Sequence, residues 1–178
     1  MLPHVCTACR VSHQQPAFHG RESVRVNFLI TLFGSFGFSG FFPFAPATFA
    51  SLVFAAVLLI PGGPVIATPI VFAWTIVASV PIATRMEKRF GRDASCIVID
   101  EVVGMQTVFA GAVPSAGGVL LGFFIFRIFD ILKPFPIRRS QNLPGGYGVV
   151  CDDFLAGIYA RIALIVLSYF IPGIGVFF

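Results

Sequence analysis

A small all-α bundle embedded in a membrane, its helices short or broken, is the architecture that three features of this chain predict. Its 178 residues are 57% hydrophobic and 11% charged, with mean hydropathy +0.91, whereas soluble domains carry about 25% charged residues. No residue from Val26 to Thr84 is charged, a run long enough for two bilayer crossings at about 20 residues each. Glycine and proline punctuate the apolar stretches too often for long unbroken helices.

The basic residues say which surface this bundle meets. Formal charge is +4, but the bases form no long run or interleaved stripe of the kind that binds nucleic acid. They gather at Arg21/Arg25, Arg85/Lys88/Arg89/Arg92 and Arg138/Arg139, each beside an apolar segment. That placement anchors segment ends on the cytoplasmic side and attracts anionic headgroups. The membrane is therefore the expected partner, and nucleic acid is not.

Residues 1–25 differ from the rest: they are polar, hold all three histidines and lack the apolar core of a signal peptide. They are expected to be a disordered tail before a domain spanning 26–178. Cys6-x-x-Cys9 with His4 and His13 falls short of a structural zinc site, which wants four well-spaced ligands. Cys96 and Cys151 stand alone and are expected to be reduced, non-catalytic thiols.

Gly34, Gly37, Gly40, Pro43 and Pro46 break the start of the uncharged run. A helix is expected over Thr48–Ile60, with Thr48 or Ser51 as its cap and Pro61-Gly62-Gly63-Pro64 as its stop. Such a helix reaches only about 20 Å, short of a ~30 Å hydrocarbon core, so residues 28–42 continue it or it is re-entrant. Residues 65–84 form the cleanest transmembrane candidate, closed by the bases at 85–92. In GRDASCIVIDEVVG, a helix from Ser95 would stack Asp93 with the Asp100–Glu101 pair, two turns apart, although Ile97-Val98-Ile99 is β-branched. Residues 102–126 are again uncharged, and Gly111, Pro114, Gly117 and Gly118 divide them into two arms. A hairpin there returns Arg127 to the side of Glu101. The last helix is expected from about Asp153 to Phe170.

Chemistry concentrates in the second half. Six of the eight acidic residues (Asp93, Asp100, Glu101, Asp130, Asp152, Asp153) lie between 93 and 153, where a solvated surface would scatter them. Charges inside apolar sequence are costly and are usually kept for a task. In FRIFDILKPFPIRR, Arg127, Asp130 and Lys133 recur every three residues on neighbouring turns of one helix face. Asp100, Glu101, Asp130, Asp152 and Asp153 are hard oxygen donors suited to Mg²⁺. Arg127 grips phosphate as a fork and Lys133 as a point charge. Metal, cations and a water-positioning carboxylate are what phosphate-ester hydrolysis requires. No His, Ser or Cys stands in a nucleophile arrangement, so water or a carboxylate must attack. Plainer roles exist for each: Arg127–Asp130 as a bundle ion pair, Asp152 or Asp153 as a helix N-cap, the Gly145-Gly146/Gly148 stretch as a turn.

FPFAPATFAS, the D-x6-DEVVG segment from Asp93 to Gly104, FRIFDILKPFPI and GGYGVVCDDFLAGIYA, in this order and spacing, resemble the phosphatidylglycerophosphatase A family over about residues 30–170. The resemblance implies a small multi-helical, multi-pass protein of the bacterial inner membrane with its site facing the cytoplasm. It implies a Mg²⁺-dependent phosphatase converting phosphatidylglycerophosphate to phosphatidylglycerol in phospholipid biosynthesis. By motif, Asp100, Glu101, Asp130 and Asp153 would be catalytic and Arg127 and Lys133 would hold phosphate. Asp100 and Glu101 with Asp152 or Asp153 would hold Mg²⁺. One departure is visible: the family's P-G-T-x-G-S reads Pro46-Ala47-Thr48-Phe49-Ala50-Ser51 here. Alanine would be harmful there only if those positions need positive φ. Two other classes fit the same charges: a transporter or ion-conducting bundle with the charges lining a path, and a non-catalytic scaffold.

Overall fold

The computed structural model describes residues 21–91, 94–171 and 176–177. The expected tail and its Cys6/Cys9/His4/His13 group lie outside them, save that helix α1 already begins at Arg21; Asp93 also lies outside. Among the described residues the chain is all-α: α1 (Arg21–Gly34), α2 (Pro46–Leu59), α3 (Pro69–Phe90), α4 (Ile99–Phe109), α5 (Ala116–Leu132), α6 (Ile137–Ser140) and α7 (Gly146–Phe170). Two short 3-10 turns precede α2 and α3, and a two-residue antiparallel bridge joins Val113–Pro114 to Val176–Phe177.

Backbone chemistry explains where helices stop. After α1 the chain turns through left-handed residues at Phe36, Gly37, Phe38 and Ala45, so residues 28–42 do not continue α2, which stands as a separate short helix. Pro46 occupies its first position, where the missing N–H is no loss. The expected caps do not form: Ala45 is the N-cap without a side-chain bond, and the Ser51 hydroxyl donates back to Ala47 O at 3.0 Å. Ala47 and Ala50 are both helical and Ala50 is fully buried, so neither needs positive φ and alanine suits both.

Helix α3 is longer than the 65–84 segment anticipated, beginning at Pro69 and absorbing Arg85, Lys88 and Arg89 before Gly91 ends it at φ 102°. It is the single described helix long and apolar enough to cross a membrane, and it leaves Ile70, Trp74 and Val77 about 70% exposed. One crossing is thus the most that helix length and hydropathy support among the described residues. α4 starts at Ile99 and not at Ser95; the β-branched run disfavours helix, as β-branched residues do, and Val98 N–H instead donates to Gly34 O at 2.9 Å. The α4–α5 hairpin forms as expected, with Ser115 capping α5 through Gly118 N.

The core is built around α7. Its partner α4 is buried along its whole length, and the two touch through glycine. A Cβ on Gly157 would sit 2.5 Å from Gly104 O, and one on Gly104 would lie 3.0 Å from Asp153 O. Absent side chains thus let two backbones meet, a device common where helices pack in apolar surroundings. At the far end of α4, Arg161 donates to Thr107 O and Ala110 O at 3.2 and 2.7 Å. It satisfies carbonyls that the helix end leaves open.

Candidate active site

The hairpin and the α4–α7 crossing bring three remote segments to one place. Asp100 and Glu101 occupy the first turn of α4, where the positive end of the helix dipole favours anions. Arg127 and Asp130 end α5, and Lys133 follows as its C-cap. Asp152 and Asp153 are not caps: α7 begins at Gly146, six residues earlier than Asp152, so both lie inside the helix and face the bundle. Gly145 takes the entry position with φ 58°. Gly146 N donates to Thr84 Oγ1 at 3.1 Å, so the glycine stretch is the docking point of α7 on α3.

Asp100, Glu101 and Asp153 are all buried, and each places a carboxylate oxygen within 4.8 Å of the others. Oxygens Asp100 Oδ1, Glu101 Oε2 and Asp153 Oδ2 are buried without any hydrogen-bond partner. Orphaned anionic oxygens in a core cost free energy unless something neutralises them. Burial first, then the neighbouring Glu101 carboxylate, pushes Asp100 well above the ordinary range. Asp153 is raised as strongly, by burial and then by Asp130. Burial also raises Glu101. Three buried carboxylates that converge and each keep one oxygen without a hydrogen-bond partner form a hard-oxygen donor set that fits a metal ion such as Mg²⁺.

The cationic half lies alongside. Lys133 Nζ is 2.6 Å from Asp152 Oδ2 and 3.9 Å from Asp130 Oδ1. Gln141 Nε2 donates to the same Asp152 oxygen at 3.0 Å. Asp152 is thereby engaged with Lys133 and Gln141 and stands outside the group of three. Burial works to lower the Lys133 ammonium, but the Asp152 hydrogen bond and the surrounding carboxylates outweigh it and leave its pKa raised. Lys133 holds φ 42°, a conformation rare outside Gly and Asn.

Arg127 Nη1 is 2.8 Å from Asp130 Oδ2, close enough for an ion pair but not aligned as a hydrogen bond. Its Nη1 and Nε are buried without an acceptor, leaving guanidinium donors for an anion. Gln141 escaped the sequence reading; an amide eleven residues before Asp152 carries no pattern that marks it. Cys151, beside these acids, is a free thiol whose pKa is pushed up by burial and then by Asp152. That disfavours the thiolate a nucleophile would need.

Comparison with known proteins follows the same residues. The family model described as phosphatidylglycerophosphatase A matches residues 32–168. A Bacteroides thetaiotaomicron protein bearing the provisional name phosphatidylinositol-3-phosphatase is 38% identical over 158 residues, covering 83% of this chain and 98% of its own. A Haemophilus influenzae protein named phosphatidylglycerophosphatase A is 48% identical over 80 residues, 43% of this chain and 48% of its own. The Escherichia coli protein of that name is 39% identical over 82 residues, 45% of this chain and 48% of its own. No solved structure matches.

Proposed function

The chain belongs to the phosphatidylglycerophosphatase A family and is a lipid phosphatase, and from that membership we propose that it hydrolyses phosphatidylglycerophosphate to phosphatidylglycerol and phosphate with Mg²⁺. The observation that carries the reading is the convergence of Asp100, Glu101 and Asp153, each with a carboxylate oxygen within 4.8 Å of the others and each with one buried oxygen lacking a hydrogen-bond partner, in the same part of the bundle as the buried Arg127 guanidinium. Charges gathered into one cluster favour this over a bundle whose charges line a path.

In this proposal Asp100, Glu101 and Asp153 hold Mg²⁺, with Asp152 bordering the site. When bound, the ion would neutralise charge on the phosphoryl oxygens and help to orient the group that attacks. Arg127, whose Nη1 is paired with Asp130, receives the phosphate with its guanidinium, a planar fork fitted to phosphate. Lys133 adds a point charge, held in place from behind by Asp152. Asp130 contacts both cations and so sets their spacing. Attack falls to a water oriented by a carboxylate of the set, Asp130 and Asp153 among them, since Cys151 is held protonated.

The same reading places residues 26–178 as one catalytic domain in the bacterial cytoplasmic membrane, multi-pass, with the site on the cytoplasmic side and residues 1–25 as a tail. Its support is the exposed apolar face of α3 and the bases in its last turn, a pattern expected at a cytoplasmic interface. A second substrate, a phosphatidylinositol phosphate, is favoured by the name of the Bacteroides relative, which aligns over nearly its full length. Purified protein in detergent micelles is expected to release phosphate from phosphatidylglycerophosphate with Mg²⁺ and to stop on adding EDTA. Release that persists in EDTA counts against the metal; no release from either lipid counts against the phosphatase.

A further inference from the structure

Bordered by Asp152, the neighbour of Asp153 in the acid cluster, lies a cavity of about 180 Å³. One ordered water needs only about 10–15 Å³ of such space, so there is room for several non-hydrogen atoms beyond a phosphoryl group. Glu87 from the end of α3 forms one wall. Gln141 and Asn142 form another, and Gly145 and Gly148 bring the start of α7 against them. Gly148 allows this closeness: a Cβ there would meet Leu143 O at 2.8 Å and Gln141 O at 2.9 Å.

The lining selects its occupant by chemistry. Carboxylates at Glu87 and Asp152 accept hydrogen bonds, while the two carboxamides both donate and accept. Among the described residues the lining holds carboxylates and carboxamides and no Lys or Arg, and two carboxylates would repel a second phosphate. A hydroxyl, which donates to a carboxylate and accepts from an amide, satisfies both kinds of wall. Gln141 also fixes the distance, because it donates to the Asp152 oxygen that Lys133 grips. A group in the cavity beside Asp152 and a phosphate on the far side of Lys133 are thus held at a fixed spacing by the Lys133–Asp152–Gln141 chain.

We infer that this cavity is a headgroup subsite, binding a free hydroxyl on the carbon adjacent to the phosphorylated carbon. The inference rests on the lipid-phosphatase reading and deepens it. Phosphatidylglycerophosphate and phosphatidylinositol 3-phosphate both carry such a hydroxyl, on glycerol and on the inositol ring respectively. Phosphatidic acid does not, because its neighbouring oxygen is acylated. The subsite thus accounts for discrimination among phosphomonoester lipids, which the phosphate holders Arg127 and Lys133 cannot supply.

The test compares wild type, Asn142→Ala and Glu87→Gln in mixed micelles with Mg²⁺, on all three lipids. For phosphatidic acid the inhibition constant replaces KM if it is not cleaved. Thermal melts check that each variant folds. KM for a hydroxyl-bearing lipid is expected to rise about tenfold relative to the phosphatidic acid constant, the size of one lost hydrogen bond, while kcat stays close to wild type. Whether the glycerol or the inositol lipid moves identifies the headgroup. An equal shift on all three lipids, or no shift, with active wild type, overturns the subsite alone. A wild type that releases phosphate from none of them overturns the phosphatase reading and the subsite with it.

Discussion

Lys133 separates what a side chain does from what its backbone needs. It sits in the left-handed region at φ 42°, which Asn accepts more readily than Lys, and its ammonium bonds Asp152. Lys133→Asn relieves the backbone but leaves the buried Asp152 carboxylate with Gln141 alone, so it is expected to fold with a stability loss of about 3 kcal/mol or less. Loss of the charge should lower kcat/KM about 10²-fold, the scale of one transition-state donor. A melt beside the kinetics tests it: equal loss of stability and activity would make Lys133 a structural residue. At this scale the charged candidates were legible in the sequence. Arg127, Asp130 and Lys133 stood out because charge is rare in such a sequence, whereas Gln141 did not, because an uncharged amide costs little anywhere.

The crossing of α4 and α7 is where elements become a site. Asp100 and Glu101 on one helix meet Asp153 on the other only because Gly104 and Gly157 let the backbones touch. A Cβ at Gly157 would meet Gly104 O at 2.5 Å and the Thr107 side chain at 2.7 Å, neither at the free end of a flexible chain. Gly157→Ala is expected to force the helices apart at about 1–3 kcal/mol. Binding of Mg²⁺ should weaken along with stability, although position 157 is a full turn beyond Asp153. Isothermal titration with Mg²⁺ and a melt check the pair of effects; a destabilised variant with unchanged affinity would show that the crossing does not set the ligand spacing. The hairpin around Gly111–Gly118 could be foreseen from its breakers. The early start of α7 at Gly146 could not: Asp152-Asp153 looks like a cap in sequence, and Thr84 on α3 is what satisfies the true helix start.

Over the whole molecule, the buried acids couple protons to stability, and a metal held by them, as proposed, would enter the same balance. Asp100 and Asp153 lie outside the membrane-length helix and titrate above their ordinary value of 3.8 in the folded chain. In the folded state they hold protons that the unfolded chain releases. Their contribution to stability is full below about 3.8 and is lost as pH rises through the raised folded values. With EDTA present, the melting temperature is thus expected to rise as pH falls from neutral toward that window. Mg²⁺ competes with those protons, so its affinity should fall over the same interval. Saturating Mg²⁺ should raise the melting temperature at neutral pH and flatten or reverse the acid gain. A metal-free protein that only loses stability on acidification would mean the three carboxylates are not the groups that govern it.

Composition and spacing by themselves determined that the chain is helical and apolar, that its acids are concentrated in one half, and which residue types could meet phosphate and metal. These are local properties, readable wherever burial of a charge or a broken helix carries a free-energy cost. Tertiary structure alone decided which carboxylates come together, that Asp152 is engaged with Lys133 and Gln141 while Asp100, Glu101 and Asp153 each keep one buried oxygen without a partner, and that Ala47 and Ala50 are helical. The reason is physical: coordination and hydrogen bonding act over a few ångströms, and which side chains come that close depends on how tightly two helices cross, set here by glycines far from the acids in sequence.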